Sequence, residues 1–193
     1  MASLPFVGLT GGMGAGKSEA LRALERLGAA TLSSDAVVHE LLESDEVRGL
    51  LAERFGADVA ADRAAIAGVV FADPGERAWL EGVLWPRVGA RIASWREELG
   101  ARETAPRAAV VEVPLLFESG MEAAFDHTIA VVAGDAVRAS RTSGRDHAAT
   151  DERDARQLSQ AEKADRAEFA VRNDGTLAEL ERELSRILET IST

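Results

Sequence analysis

Short apolar runs alternate with amphipathic stretches along this chain of 193 residues. Five runs are almost continuously apolar and have the length of a buried strand. They lie at residues 6–9, 29–35, 108–114, 127–133 and 169–173. Because helical patterns separate them, they predict parallel strands that are covered by helices on both faces. The expected fold class is α/β, a three-layer fold with a parallel sheet of about five strands.

Helical periodicity occupies most of the remaining chain, first at about 16–27, then over 36–99 and at the C-terminal end. Two apolar faces are clearest, one made of Leu80, Leu84, Val88, Ile92, Trp95 and Leu99, the other of Leu180, Leu184, Ile187, Leu188 and Ile191. Pro86 predicts a kink or a new helix start, and Trp79, Trp85 and Trp95 are expected in the core. Residues 45–106 and 135–165 are too long for simple crossovers. We expect a helical lobe and a small helical lid, inserted into one core of residues 1–44, 107–134 and 166–193.

The stretch GLTGGMGAGKSEAL at residues 8–21 follows the first predicted strand and opens the first predicted helix. Gly11, Gly16, Lys17 and Ser18 fit the spacing G-x-x-x-x-G-K-[ST] of a phosphate-binding loop. Glycines let backbone N–H groups point at a phosphate chain, and the helix start adds its positive dipole end. Lys17 is one of two lysines among 22 basic residues, which favours a compact ammonium at this position. We predict a triphosphate cradle, with Lys17 on the β- and γ-phosphates and Ser18 on Mg²⁺.

This loop alone does not separate GTPases, ATPases and small-molecule kinases. A GTPase would carry an N-K-x-D segment, in which asparagine directly precedes lysine. Lys163, the only lysine besides Lys17, is preceded by Ala161 and Glu162, so the sequence has no such segment. A remodelling ATPase would be larger, with a strand that ends in a pair of acids, whereas the third predicted strand ends with the single acid Glu112. A small-molecule kinase is therefore favoured.

Asp35 ends the second predicted strand, at the edge where open α/β sheets bind ligands. A carboxylate there can orient an acceptor hydroxyl and accept its proton. The alternative is a helix N-cap for a helix that starts at Ala36, with Ser34 as another cap.

Arg138, Arg141 and Arg145 share one face of a predicted helix. They are either a solvated basic face or part of a lid that brings guanidinium groups over the transferring phosphoryl group. Gly144, beside Arg145, suits the edge of such a lid.

The net charge of −11 disfavours non-specific binding to nucleic acid or to an anionic membrane surface. Without cysteine there is no disulfide, thiolate nucleophile or Cys-ligated zinc. No stretch approaches the ~18 apolar residues of a spanning helix, and the N-terminus lacks the pattern of a signal peptide. We expect a cytoplasmic protein.

Several segments together resemble the dephospho-CoA kinase family nearly from end to end. GLTGGMGAGKS is similar to its phosphate loop, SSDAVVHELL to its acceptor segment, and DRAAIAGVVF with RAWLEGVLWPRV to its helical lobe. VEVPLLFESG, RASRTSGRD, RDARQLSQAEK and NDGT are similar to its later motifs. The sequence departs from the family pattern at Trp85, Glu19, Glu112 and Ser33.

The resemblance implies a P-loop NTPase fold and transfer of the ATP γ-phosphoryl group to the ribose 3′-hydroxyl of dephospho-CoA, the last step of coenzyme A synthesis. It implies that Asp35, Lys17, Arg141 and Arg145 are catalytic, and that Arg63, Pro114, Leu115 and Leu116 join Asp35 in binding the acceptor. It assigns Mg²⁺ to Ser18 and Glu112, and ATP to Gly12, Met13, Gly14, Ala15, Gly16, Lys17, Ser18, Glu19, Asn173 and Gly175.

We expect ATP and dephospho-CoA as small-molecule partners and a monomer or weak homo-oligomer. The alternatives are a nucleoside monophosphate kinase and a nucleotide-dependent regulatory protein without a small acceptor.

Overall fold

A five-stranded, all-parallel sheet forms the centre of the first compact unit. The protein is described here from a computed structural model that covers residues 4–142 and 157–192. The strands are β1 (Phe6–Gly11), β2 (Ala30–Ser33), β3 (Ala109–Glu112), β4 (His127–Val132) and β5 (Phe169–Arg172), in the order β2-β3-β1-β4-β5. All six residues of β1 are buried, as expected for a central strand covered on both faces. The predicted α/β fold and parallel sheet are confirmed.

The helices are α1 (Lys17–Arg26), α2 (Ser34–Glu43), α3 (Asp45–Phe55), α4 (Ala57–Ala60), α5 (Arg63–Ala72), α6 (Pro74–Gly100), α7 (Asp135–Thr142), α8 (Gln160–Arg166) and α9 (Leu177–Ile191). A 3₁₀ turn spans Met121–Ala124. Within these described ranges, no helix is both long and apolar enough to cross a membrane.

The core of the first unit joins the sheet to α1 and α9. Val7 and Leu9 of β1 pack with Leu24 of α1 and with Leu184 and Leu188 of α9, and all five side chains are buried. On β1, the register places Leu9 beside Glu112 of β3 and Gly11 beside Val131 of β4. The chain therefore leaves β1 in the middle of the carboxyl edge, where the strand order switches direction and α/β folds bind ligands.

The second compact unit spans residues 34–97 and is helical. Its apolar cluster includes Val47, Leu51, Ile66, Leu80 and Leu84, with side chains of α2 packed against it. Because α2 belongs to this cluster, the unit begins at residue 34, whereas the predicted lobe begins at 45. The functional division into core, lobe and lid stays a prediction.

Three local expectations differ from the structure. The second strand ends at Ser33 and α2 begins at Ser34, so Asp35 lies in the first turn of a helix and is not the cap before Ala36. α6 continues through Pro86, so the new helix start, one of the two outcomes predicted for Pro86, is wrong; Leu84 and Val88, on either side of it, are both buried. Trp85 is 38% exposed, so its expected place in the core is wrong.

Candidate functional site

The loop between β1 and α1 is compact because its glycines adopt conformations that other residues avoid. Gly14 has a φ of 72° and Gly16 a φ of 92°, both in the left-handed region. A Cβ atom on Gly16 would collide with the side-chain amide of Asn173. Gly16 is also the N-cap of α1, and no side chain caps this helix start in the described structure. The first N–H groups of α1 and its positive dipole end are thus suited to an anion.

Lys17 is the first residue of α1 and folds back over the start of this phosphate loop (residues 11–18). Its Nζ donates to the carbonyl of Gly11 at 3.0 Å and to that of Gly12 at 3.3 Å. The ammonium therefore lies beside the loop backbone, where a phosphate chain cradled by the loop amides would meet it. This placement agrees with the predicted triphosphate cradle.

Two arginines of α7 hold the outer side of the phosphate loop. Arg138 Nε donates to the carbonyl of Met13 at 2.8 Å. Arg141 Nη1 donates to the carbonyls of Gly14 and Ala15, both at 3.4 Å. A purely solvated basic face is therefore wrong for these two residues. Arg145, the third arginine of the predicted stripe, lies outside the described residues.

Asn173, directly after β5, contacts both the phosphate loop and Arg141. Its side-chain amide donates to the carbonyl of Ala15 at 2.9 Å, and its own carbonyl accepts from Arg141 Nη2 at 3.1 Å. It is 5% exposed. Gly175 is exposed, and a Cβ atom there would meet the carboxylate of Glu179, which caps the following helix. The structure thus gives Asn173 a supporting contact with the loop, and the predicted neighbourhood of adenine stays a prediction.

The predicted Mg²⁺ ligands are oxygen donors of the kind that this cation prefers. Ser18 is exposed in the first turn of α1, and Glu112 is the half-buried last residue of β3. No group of three or more histidine, aspartate or glutamate side chains in residues 4–142 and 157–192 could hold a metal ion. One carboxylate and one hydroxyl suit Mg²⁺ bound together with substrate phosphates, since this ion usually takes only one or two carboxylates from the protein. The side chain of Glu19 pairs with Arg22 at 2.5 Å on the exposed side of α1. The predicted ATP contact of Glu19 would be made by its backbone N–H.

The segment after β3 contains the predicted acceptor residues Pro114, Leu115 and Leu116, and it contacts Lys163 of α8, which the sequence analysis did not assign to the site. The carbonyl of Pro114 accepts from Thr10 Oγ1 at 3.2 Å and from Lys163 Nζ at 2.6 Å. Leu115 is half-buried, and Leu116 is fully buried against Gly8. Lys163 had one detectable signal, as the second lysine of a chain that otherwise uses arginine.

Gln160, on the same helix as Lys163, makes two hydrogen bonds with the backbone of Ala133, the residue after β4. Its side chain accepts from the backbone N–H of Ala133 at 3.0 Å and donates to the carbonyl of Ala133 at 2.9 Å. Its Cγ lies 2.9 Å from the position that a Cβ on Gly12 would take. A cavity beside Gly12 is lined by α7 and by the residues that lead into α8. No local sequence pattern pointed to this residue.

In the second unit, the predicted acceptor residues lie on α2 and α5. Asp35 is exposed in the first turn of α2. Arg63 is exposed at the start of α5, and its guanidinium contacts His39 Nδ1 of α2. Both charged groups are thus accessible to solvent and available to a polar substrate.

A family model described as dephospho-CoA kinase matches residues 5–179. The chain belongs to the dephospho-CoA kinase family. A protein named dephospho-CoA kinase in Deinococcus radiodurans is 37% identical over 191 residues, which cover 96% of this chain and 91% of that relative. The crystal structure of TT1252 from Thermus thermophilus is 33% identical and has a TM-score of 0.78 over 98% of both chains. A dephospho-CoA kinase from Campylobacter jejuni, 22% identical with a TM-score of 0.69 over 96% of both chains, has a similar fold.

Membership of the dephospho-CoA kinase family confirms three predictions made from the sequence. The expected family, the expected enzyme class and the expected activity, phosphorylation of dephospho-CoA, agree with these comparisons. The roles of individual residues are not decided by similarity and are argued below.

Proposed function

We propose that this chain transfers the γ-phosphoryl group of ATP to the ribose 3′-hydroxyl of dephospho-CoA, producing coenzyme A and ADP. The observation that carries the proposal is the phosphate loop, in which Lys17 and the uncapped start of α1 meet at the carboxyl end of the central strand. Family membership supplies the acceptor, since the family is described as dephospho-CoA kinase.

The triphosphate of ATP binds to the loop amides from Gly12 to Glu19. Lys17 exchanges its carbonyl partners for the β- and γ-phosphate oxygens, a more favourable acceptor for an ammonium than a neutral carbonyl. Adenine lies near the turn that contains Asn173 and Gly175.

Ser18 and Glu112 would hold Mg²⁺ together with phosphate oxygens, and the bound ion would neutralise negative charge on the β- and γ-phosphates. Ser18 contributes its hydroxyl from the first turn of α1, and Glu112 its carboxylate from the end of β3. Chelation of divalent cations should therefore stop turnover, and addition of Mg²⁺ should restore it.

Asp35 orients the acceptor hydroxyl and takes its proton. The 3′-oxygen bonds to the γ-phosphorus while the bond from that phosphorus to the β,γ-bridging oxygen breaks, and ADP leaves with the electron pair. Support comes from the place of Asp35, two residues after the carboxyl end of β2, and from its exposed carboxylate. Because the transition state is loose, the proton moves late and positioning is the larger contribution.

Arg141 and Arg145 stabilise the charge that spreads over the transferring phosphoryl group. Support for Arg141 comes from its contacts with the loop carbonyls of Gly14 and Ala15, which place its guanidinium beside the phosphate loop. Arg63, Pro114, Leu115 and Leu116 bind dephospho-CoA. The protein acts in the cytoplasm as a monomer or weak homo-oligomer, without a nucleic-acid or membrane partner.

The proposal is tested by comparing acceptors under identical Mg·ATP conditions. Formation of ADP is measured with dephospho-CoA, with AMP and without an acceptor. We expect dephospho-CoA to exceed AMP by about 10²-fold or more in kcat/KM, because a site built for its polar groups rejects a ligand that leaves them unpaired. Equal turnover with AMP would favour a nucleoside monophosphate kinase. Binding of ATP without turnover of any acceptor would favour a regulatory protein.

A further inference from the structure

Lys163 lies fully buried on α8, and its ammonium contacts one backbone carbonyl and one carboxylate. Its Nζ donates to the carbonyl of Pro114 at 2.6 Å and forms an ion pair with Glu118 Oε1 at 3.0 Å. The Lys163 side chain is 0% exposed, and that of Glu118 is 13% exposed. The chain uses arginine nearly everywhere else, so a compact ammonium at this site is a specific choice.

This ion pair joins three separate parts of the chain. The Pro114 carbonyl also accepts from Thr10, the buried residue directly before the phosphate loop. Glu118 Oε1 also accepts from the backbone N–H of Leu158, two residues before α8. The end of β1, the segment of residues 114–118 and the approach to α8 are therefore held by one network of hydrogen bonds.

Stability alone is a poor reason for burying these two charges. A buried ion pair loses its hydration, and apolar side chains of similar volume often stabilise a fold as well or better. Glu118 Oε2 is buried and has no hydrogen-bond partner among the described residues. The network is thus not optimised for stability. The network instead fixes the positions of the oxygen atoms around the Lys163 ammonium, because hydrogen bonds are directional whereas apolar contacts are not.

We infer that the Lys163–Glu118 pair positions the segment of residues 114–116 for dephospho-CoA, so that Lys163 is a positioning residue for the acceptor. The inference rests on the proposed function, in which Pro114, Leu115 and Leu116 bind that substrate. It goes further by assigning the alignment of this segment to a buried lysine that does not itself touch the acceptor.

The test replaces both charges together, because Lys163→Met alone would leave Glu118 buried and unpaired. In the double variant Lys163→Met/Glu118→Gln, the new amide oxygen can still accept from Leu158. We expect a cooperative melt and an unchanged KM for ATP. The KM for dephospho-CoA should rise by about tenfold or more, since displacement of a positioning segment is costly to a well-oriented substrate.

The matched control is Arg26→Met/Glu181→Gln, because Arg166, the nearest basic residue on α8, stacks on Phe117 of the tested segment. Arg26 of α1 pairs with Glu181 of α9, and both side chains are more exposed than the Lys163 pair, at 47% and 32%. We expect this double variant to keep both KM values. If the first double variant does not fold, Lys163→Gln/Glu118→Gln carries the same measurement, since it also removes both charges and leaves neither of them buried and unpaired.

Three results would overturn the inference. A folded Lys163 double variant with a wild-type KM for dephospho-CoA would leave the ion pair without a positioning role, although the proposed function would stand. An equal rise of the KM for both substrates would mean a general structural effect. A wild-type protein that makes no coenzyme A would remove the proposed function and this inference with it.

Discussion

At the scale of single residues, the account depends on charged groups that contact backbone carbonyls. Lys17 and Arg141 both donate to carbonyls of the phosphate loop, and Lys163 donates to the carbonyl that follows β3. Carbonyl contacts fix the position of a cation without neutralising it. A phosphate oxygen is a stronger acceptor for these donors than a neutral carbonyl, so a phosphate chain bound in the loop can replace the carbonyl contacts.

We predict that Lys17→Ala lowers kcat by about 10²–10³-fold or more, because the variant lacks a charged donor to the transferring phosphoryl group. Lys17→Arg should also fail, since a planar guanidinium does not replace a compact ammonium. Steady-state kinetics and a thermal melt are measured together. The control is Arg22→Ala, an exposed position on the same helix, which should keep wild-type turnover. A Lys17→Ala enzyme with normal kcat would contradict the cradle assignment.

Asp35→Asn tests the acceptor side of the mechanism. The amide keeps the size of the side chain and removes the proton acceptor, so we expect kcat to fall about 10²-fold, with ATP affinity nearly unchanged. Stability should change little, because only a first-turn carboxylate is lost from α2. Glu40→Gln, also exposed on α2, is the matched control. Near-wild-type kcat in Asp35→Asn would reduce this residue to a structural part of the helix start.

The residues of the phosphate loop could be predicted from sequence because their spacing is local. The loop motif fixes Gly11, Gly16, Lys17 and Ser18 within eight positions. The contact between Lys163 and Pro114 could not be predicted, because its partners are far apart in sequence and meet only through the packing of α8 on the sheet.

At the scale of elements, a capping box fixes the start of each of the last two helices, α8 and α9. Ser159 and Glu162 cap α8, and Thr176 and Glu179 cap α9. The apolar face predicted for the last helix is confirmed, since Leu180, Leu184, Leu188 and Ile191 of α9 are buried. The sequence left open whether Pro86 kinks a helix or starts a new one, because proline is a local signal, whereas the buried residues on either side of it belong to one continuous helix.

The cap of α9 makes stability depend on pH. The backbone N–H and then the hydroxyl of Thr176 hold the pKa of Glu179 below its ordinary value. This carboxylate therefore stabilises the fold above its unfolded-state pKa, and the contribution is lost as pH falls through the folded-state pKa. We expect wild type to exceed Glu179→Gln in free energy of unfolding at neutral pH, with the difference shrinking in acid. Urea unfolding at several pH values measures it.

Two outcomes would argue against this assignment for Glu179. One is a difference between wild type and Glu179→Gln that does not vary with pH. The other concerns Thr176, whose hydroxyl belongs to the same cap. We expect Thr176→Ala to lower the free energy of unfolding by about 1 kcal/mol at every pH where the Glu179 carboxylate is ionised. A Thr176→Ala variant as stable as wild type would mean that the cap contributes nothing.

At the scale of the whole molecule, the sequence predicted the strands of a parallel sheet but not their order in it. Apolar runs identified the strands, yet nothing in a run reveals that β3 inserts between β2 and β1. The helical unit begins at residue 34 because α2 contributes to its apolar cluster, a contact that periodicity in one helix does not encode. The strand order matters for function because it puts β1, and therefore the phosphate loop, at the switch point of the sheet.

The central claim is transfer of a phosphoryl group to one hydroxyl of one acceptor, and the position of the new phosphate in the product tests it most directly. The protein is incubated with Mg·ATP and dephospho-CoA, and the products are examined by ³¹P NMR. We predict one new phosphomonoester on the ribose 3′-oxygen, formed in equal amount with ADP, and no transfer to an acceptor that carries hydrogen in place of the 3′-hydroxyl. Phosphate at another position, transfer to the 3′-deoxy acceptor, or ADP without coenzyme A would contradict the account.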